Sequence, residues 1–194
     1  MKNWFLIGIF MASSSCSVNS KSIDFEGLKI PQEYVLHAPS EGPKGVFDDE
    51  SIGIALVVPE DEVKRKIPRY QIENRGKREL SFVVEQSFID LNAVSNSVLT
   101  SFVKSDTRVD ADKYLPYERL YRSSDSWLLV SSEGGGKFLE AQCSRSGLTG
   151  NVEVCYFKKN VNGYGVSFHL ENTNIALAKE FEDFISDKIE NWRK

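Results

Sequence analysis

Apolar residues recur at helical spacing in two parts of the chain. Between Asn174 and Trp192 the carboxylates lie away from one apolar stripe, as expected of a helix that covers a core. The residues of this stripe are Ala178, Phe181, Ile185, Ile189 and Trp192, with Phe184 at its edge. A second stripe, with Asp90 as a plausible N-cap, consists of Leu91, Val94, Val98, Leu99 and Phe102. The pattern therefore predicts two amphipathic helices, over Asp90–Lys104 and at the C-terminus.

Short apolar segments between turn signals predict strands elsewhere in the chain. Seven segments have this form: Ser51–Val58, Glu79–Gln86, Tyr117–Tyr121, Ser126–Ser131, Lys137–Cys143, Val152–Phe157 and Gly165–Leu170. The triple glycine Gly134–Gly136 separates two of them, and Asn162-Gly163 favours a tight hairpin between the last two. Gly27–Pro39 contains an extended segment, whereas residues 60–68 are charged and indicate a connection that ends at Pro68.

The order of these elements predicts the α+β class. We expect residues 23–194 to form one domain, a single antiparallel β-sheet with both amphipathic helices packed on it. This order resembles the α/β/α sandwich of Mog1/PsbP-like domains, as do the opening Gly27–Tyr34 (GLKIPQEY) and the final helix ending in Trp192. The resemblance covers most of residues 25–192. That family consists largely of binding and assembly proteins, so the resemblance does not imply a reaction.

The N-terminus has the features of an export signal. Lys2 precedes the apolar run Trp4–Ala12, which is too short to span a bilayer but matches the apolar region of a cleaved signal peptide. Three serines then lead to Cys16, which resembles the lipobox of bacterial lipoproteins, although Ser13 stands where that family usually has leucine. We therefore expect residues 1–15 to be a signal peptide and residues 16–22 a lipidated Cys16 with a polar tether. The alternative is ordinary cleavage near Ser14 or Ser15, which would yield a soluble secreted protein.

The residue after the cysteine bears on the membrane to which the protein is sorted. In bacterial lipoproteins, the absence of aspartate at this position points to the outer membrane, and here the residue is Ser17. The resemblance therefore implies a lipid-anchored protein of the cell envelope, most simply on the outer membrane and facing the periplasm.

The other two cysteines predict a disulfide bond. Cys143 and Cys155 flank a glycine-containing turn, and strand alternation places Leu139, Ala141 and Cys143 on one face and Cys155 and Phe157 on the matching face. In an oxidising envelope, a disulfide across this hairpin is the natural interpretation, and two buried free thiols are the alternative. A zinc site is not favoured, because the cysteines are not closely spaced and neither histidine has ligand-like spacing.

Charge excludes one broad class of function and indicates one candidate surface. The net charge of −4 argues against a general nucleic-acid binder. Within this acidic chain, however, residues 63–78 carry seven cations against a single Glu73: Lys64, Arg65, Lys66, Arg69, Arg75, Lys77 and Arg78. Three interpretations stay open, namely a solvated loop and edge strand, a membrane headgroup contact, or a partner-binding surface for an acidic protein.

Catalytic and cofactor patterns are weak in this sequence. The chain lacks the glycine-flanked serine of a nucleophile elbow, and His37 and His169 lie in apolar, strand-like surroundings. The acidic runs at residues 48–50 and 60–62 lack the alternating spacing of a calcium loop, and Gly134–Gly136 lacks the helix and lysine of a phosphate loop. We therefore expect no enzyme activity, no metal and no other cofactor.

These observations lead to a hypothesis about function. We expect a non-enzymatic cell-envelope lipoprotein that binds an unidentified protein partner, in its most specific form an immunity protein against a secreted toxin that reaches the periplasm. An envelope assembly or accessory factor is the alternative within the same class. Binding of a small ligand or lipid between sheet and helices is the alternative from another class.

Overall fold

A computed structural model describes residues 21–41, 52–71, 79–86, 116–133, 136–145 and 152–193. The strands within these ranges are β1 (Ser22–Phe25), β2 (Leu28–Pro31), β3 (Val35–Glu41), β4 (Ile52–Pro59), β5 (Glu79–Glu85), β6 (Glu118–Ser123), β7 (Ser126–Glu133), β8 (Gly136–Arg145), β9 (Glu153–Val161) and β10 (Tyr164–Glu171). The helices are a 3-10 helix (Gln32–Tyr34), α1 (Glu60–Lys66), a second 3-10 helix (Asn172–Leu177) and α2 (Ala178–Trp192). The α+β class is confirmed. The predicted helix over Asp90–Lys104 lies outside the described residues.

Eight of the described strands form one antiparallel sheet in the order β3-β4-β5-β10-β9-β8-β7-β6. The run from β6 to β10 is a meander, in which each strand pairs with the next one along the chain. The Asn162-Gly163 turn joins β9 to β10 with both residues at positive φ, as predicted for a tight hairpin. A non-local pairing, with Phe168 of β10 opposite Phe82 of β5, joins the meander to the N-terminal strands.

The prediction of a single sheet is wrong, because β1 and β2 form a separate two-stranded sheet. Glu26 and Gly27 both have positive φ, 48° and 81°, and this reverses the chain within two residues. The segment after Gly27 is therefore divided into β2, a 3-10 helix and β3, whereas the sequence indicated one extended stretch. The hairpin packs on the same apolar core, to which it contributes Phe25, Leu28 and Ile30.

The core lies between one face of the large sheet and α2. All six residues of the predicted helical stripe are buried, which confirms this helix and its apolar face. The ring of Phe168 stacks on that of Phe157 with centroids 5.1 Å apart, and Phe181 of α2 lies over Phe168 at 6.5 Å. Trp192, in the last turn of α2, stacks on Phe82. The helix therefore crosses the strands that join the two halves of the sheet.

An extra residue in β8 changes which face its outer end presents. Leu129 of β7 pairs with Ala141, but the next residue, Val130, pairs with Leu139, so Glu140 is the additional residue of a bulge. Leu139 consequently packs with Leu120, Leu128 and Val130 on the other face of the sheet. Simple alternation placed Leu139 on the face of Cys143, and the bulge is the reason that this detail is wrong.

Residues 60–66 form a helix, although their charge indicated a connection. Pro59 is the N-cap residue of this helix, so its missing N–H removes no hydrogen bond of the helix. The first turn carries Glu60, Asp61 and Glu62, and the last turn carries Lys64, Arg65 and Lys66. This order complements the helix dipole at both ends, and Val63 anchors the helix in the core.

Candidate functional site

The predicted disulfide joins two paired strands close to the end of β8 and the start of β9. Cys143 of β8 and Cys155 of β9 are direct cross-strand partners with Cα atoms 4.1 Å apart, and both are buried. Ala141 and Phe157 are the next pair on the same face, as predicted. Because the bond closes a short loop, it contributes about 3 kcal/mol to the free energy of unfolding in the chain-entropy account.

A buried ion cluster lies beside the disulfide. Glu153 of β9, two residues before Cys155, accepts from Arg119 of β6 at 3.4 Å and from Arg145 of β8 at 3.3 Å. Arg119 and Glu153 are only 4% and 6% exposed, whereas the side chain of Arg145 is 41% exposed. The cluster therefore contains one buried pair and one pair at the protein surface.

Two aromatic rings complete this cluster. The Arg119 guanidinium lies 4.6 Å from the ring centroid of Trp127 and donates to the Tyr121 hydroxyl at 2.6 Å. Tyr121 in turn packs against Trp127 with centroids 6.2 Å apart. The sequence analysis missed Arg119 and Glu153. Strand alternation could have indicated that both are buried. Arg119 lies two residues before Tyr121, and Glu153 lies two residues before Cys155, so each shares the inward face of its strand with that residue.

Tyr117 and Tyr121, at the two ends of a predicted strand, both take part in core packing. Tyr117 is buried, and burial, followed by the negative charges of Glu140, Glu182 and Glu180, raises the pKa of its hydroxyl well above the ordinary value.

The first four cations of the basic stretch lie on α1 and the turn after it. Three of them pair with carboxylates of the same chain: Lys64 with Glu60 at 2.6 Å, Lys66 with Asp187 of α2 at 3.8 Å, and Arg69 with Glu180 of α2. Arg65 is exposed. The other predicted partner-binding residues, Arg75, Lys77 and Arg78, lie outside the described residues, so the partner-binding assignment stays a prediction.

A half-buried polar cluster fixes α1 against α2. Tyr34 donates to Glu62 of α1 at 3.0 Å, and Lys188 of α2 donates to both Glu62 and the Tyr34 hydroxyl. The Lys188 ammonium also lies 4.2 Å from the centroid of the Tyr34 ring, a cation–π contact. Burial raises the pKa of the Glu62 carboxyl, but hydrogen bonds from Lys188 and Tyr34, with the charges of Lys188 and Arg65, lower it overall.

This arrangement predicts a pH-dependent contribution to folding. A carboxyl whose pKa is lower in the folded than in the unfolded chain stabilises the fold above the unfolded value, near 4.5, and loses that contribution as the pH falls through the folded value. We expect Glu62→Gln to lower the free energy of unfolding by about 1 kcal/mol at neutral pH, and by progressively less below pH 4.5. Urea unfolding over this pH range measures the difference. Lys188→Met should reduce the same pH dependence, because Lys188 supplies a hydrogen bond and a charge that lower the pKa of Glu62. A constant difference between Glu62→Gln and the parent at every pH would contradict the assignment.

Other candidate chemistry finds little support in the described part of the chain. Within it, no three His, Cys, Asp or Glu side chains are grouped so that they could hold a metal ion. His169 is exposed and its ring lies 4.9 Å from that of Tyr156, while the side chain of His37 lies outside the description. Glu60, Asp61 and Glu62 lie on α1, and residues 48–50 are not described.

No helix in the described ranges is long and apolar enough to cross a bilayer.

Comparison with known proteins adds no relative to this picture. No protein-family model, curated protein or solved structure matches the chain. The resemblances to bacterial lipoproteins and to Mog1/PsbP-like domains therefore remain predictions from the sequence.

Proposed function

We propose that this protein is a lipid-anchored, non-enzymatic protein of the bacterial cell envelope that acts by binding another protein. The buried Cys143–Cys155 disulfide is the observation that carries the proposal, because such bonds form and persist in oxidising compartments such as the periplasm. The apolar run before Cys16 supports the same location. The lipid on Cys16 would hold the domain at the membrane, most simply the outer membrane.

The specific form of the proposal is an immunity protein. A small exported domain anchored in the envelope is placed where a toxin delivered to the periplasm would first arrive. Protein binding at that place neutralises a toxin without any chemistry by the binding domain itself. The antiparallel sheet, its disulfide and the buried Arg119–Glu153 pair would supply a rigid scaffold for such a complex.

A competition experiment tests this function. We expect cells that lack the gene to lose viability when they are mixed with parental cells that deliver the toxin, and to survive in pure culture. Re-expression of the lipidated protein should restore survival. The measurement is the ratio of the two strains, with parental cells deficient in toxin export as the matched control.

Each alternative function gives a different result. An envelope defect in pure culture indicates the assembly or accessory role, and the immunity proposal is then wrong. A lipid or metabolite that stays bound through purification, with unchanged survival in competition, indicates the small-ligand alternative.

A further inference from the structure

We propose that the cations of α1, Lys64, Arg65 and Lys66, contact the anionic lipid headgroups of the membrane in which Cys16 is anchored. This inference rests on the lipidation that we propose for Cys16, and it assigns the orientation of the domain on the bilayer. Three observations carry it: the short tether from the anchor to the domain, the contacts that link the start of the domain to α1, and the distribution of charge on α1.

The anchor and the domain are separated by a very short tether. The backbone carbonyl of Lys21 accepts from the amide of Gln32 at 2.9 Å, so the chain is already part of the domain at this residue. The five residues from Ser17 to Lys21 span at most about 18 Å when fully extended. The part of the domain around Lys21 therefore stays close to the headgroups.

A chain of direct contacts leads from Lys21 to α1. Gln32, which binds Lys21, begins the 3-10 helix that ends at Tyr34, and the Tyr34 hydroxyl donates to Glu62 of α1. Lys66 follows Glu62 by one helical turn, about 6 Å along the axis. Gln32 and Tyr34, two residues apart on the 3-10 helix, therefore link the entry of the tether to α1.

Charge on α1 is segregated between the interior and the surface. The side chains of Glu60 and Glu62 point inward and are only 10% and 22% exposed. The side chains of Lys64 and Lys66 are 40% and 64% exposed. Arg65 is also exposed. Cations that face outward near an anchored lipid are well placed to meet phosphate groups, since each is attracted by an anionic membrane surface.

Carboxylates compete with the lipid for these cations. Glu60 pairs with Lys64 at 2.6 Å, and the Lys64 side chain stays 40% exposed in this pair. Lys66 pairs with Asp187 at 3.8 Å, and the Asp187 side chain is 66% exposed, so this ion pair is worth little and a lipid phosphate can replace it. Asp61 on α1, Glu33 on the first 3-10 helix and Asp24 on β1 are also exposed. Glu26 lies at the far end of the β1–β2 hairpin, away from the tether. An acidic protein would carry the same negative charge as the lipid headgroups. The tether, however, keeps the domain within a fixed short distance of the membrane and not of any protein.

Lysine footprinting on vesicles tests this orientation directly. The mature chain that begins at Cys16 has one free thiol, because Cys143 and Cys155 form the disulfide. Coupling this thiol to a maleimide lipid anchors the domain without any cellular lipidation. The vesicles contain phosphatidylcholine alone or phosphatidylcholine mixed with phosphatidylglycerol. Acylation rates of individual lysines are then measured by mass spectrometry at low and at high salt.

The expected result is selective protection of α1. Acylation of Lys64 and Lys66 should slow by about fivefold on the phosphatidylglycerol vesicles at low salt, which is the usual attraction of one cation to an anionic surface. High salt should restore the rate, because exposed charges are screened. Lys179 of α2 is the matched control, since it is also exposed and paired with carboxylates, and its rate should be the same on both vesicles.

Several results would overturn the proposal. Equal acylation rates of Lys64 and Lys66 on the two kinds of vesicle would show that α1 does not face the lipid. Equal protection of Lys179 would show general coating of the domain instead of a specific orientation. Protection of Lys64 and Lys66 by an acidic protein partner, but not by phosphatidylglycerol, would assign the surface to protein binding. Failure of cellular lipidation is measured separately, by acyl labelling of Cys16, so the two failures are distinguishable.

Discussion

Replacing Cys16 with serine is expected to abolish acyl labelling and to release the protein from the membrane fraction. A serine hydroxyl cannot take the place of the thiol that carries the lipid in bacterial lipoproteins, which the sequence around Cys16 resembles. Metabolic labelling with palmitate, followed by membrane fractionation, measures both effects.

The other two cysteines supply the control for this experiment. Cys143→Ala removes a thiol that is buried and bonded to Cys155, so labelling should be unchanged in this variant. Unchanged labelling of Cys16→Ser would end the lipoprotein assignment. In that case cleavage near Ser14 or Ser15 would account for the signal, and the protein would be soluble after export.

Removal of the Glu153 charge is expected to cause a large loss of stability. Glu153→Gln keeps the size of the side chain but leaves the Arg119 guanidinium without its carboxylate, at 4% exposure. Breaking a buried ion pair by removing one partner costs about 3 kcal/mol or more, because the other charge stays away from water. Urea unfolding of the oxidised protein measures the loss.

Arg145→Gln is the matched control, because Arg145 binds the same carboxylate from a side chain that is 41% exposed. Exposed ion pairs are worth about 1 kcal/mol or less, so this variant should stay close to the parent. Joint replacement of Arg119 by Met and Glu153 by Leu removes both charges and should recover much of the loss. Equal effects of Glu153→Gln and Arg145→Gln would show that burial does not decide the strength of this cluster.

Periodic local patterns account for what could be predicted of the fold. The stripe from Ala178 to Trp192 predicted α2 because a helix brings every third or fourth residue to one face. Asn162-Gly163 predicted its hairpin because these residues accept positive φ at little cost. The positions of Cys143 and Cys155 on either side of a turn predicted their pairing for another local reason. The two strands of a hairpin align residues that are equally far from its centre.

The errors arose where a local pattern was ambiguous. Residues 60–66 are too charged for an apolar stripe, and their helix depends on Pro59, the helix dipole and a single buried Val63. The turn at Glu26 and Gly27 divided a segment that otherwise had extended character. The bulge at Glu140 inserted one residue into β8, and a period-two pattern cannot show such an insertion before the partner strand is known.

For the candidate functional residues, the sequence by itself predicted an export signal before Cys16 and the pairing of two cysteines, and it determined the concentration of cations between Lys64 and Arg78. Only the tertiary structure decided that Arg119 and Glu153 form a buried pair and that Tyr34, Glu62 and Lys188 join three elements. It also decided that Lys66 and Arg69 meet carboxylates of α2. The physical reason is sequence separation. A charge and its partner can be more than a hundred residues apart, and until the chain folds, composition gives the number of charges but not which of them meet.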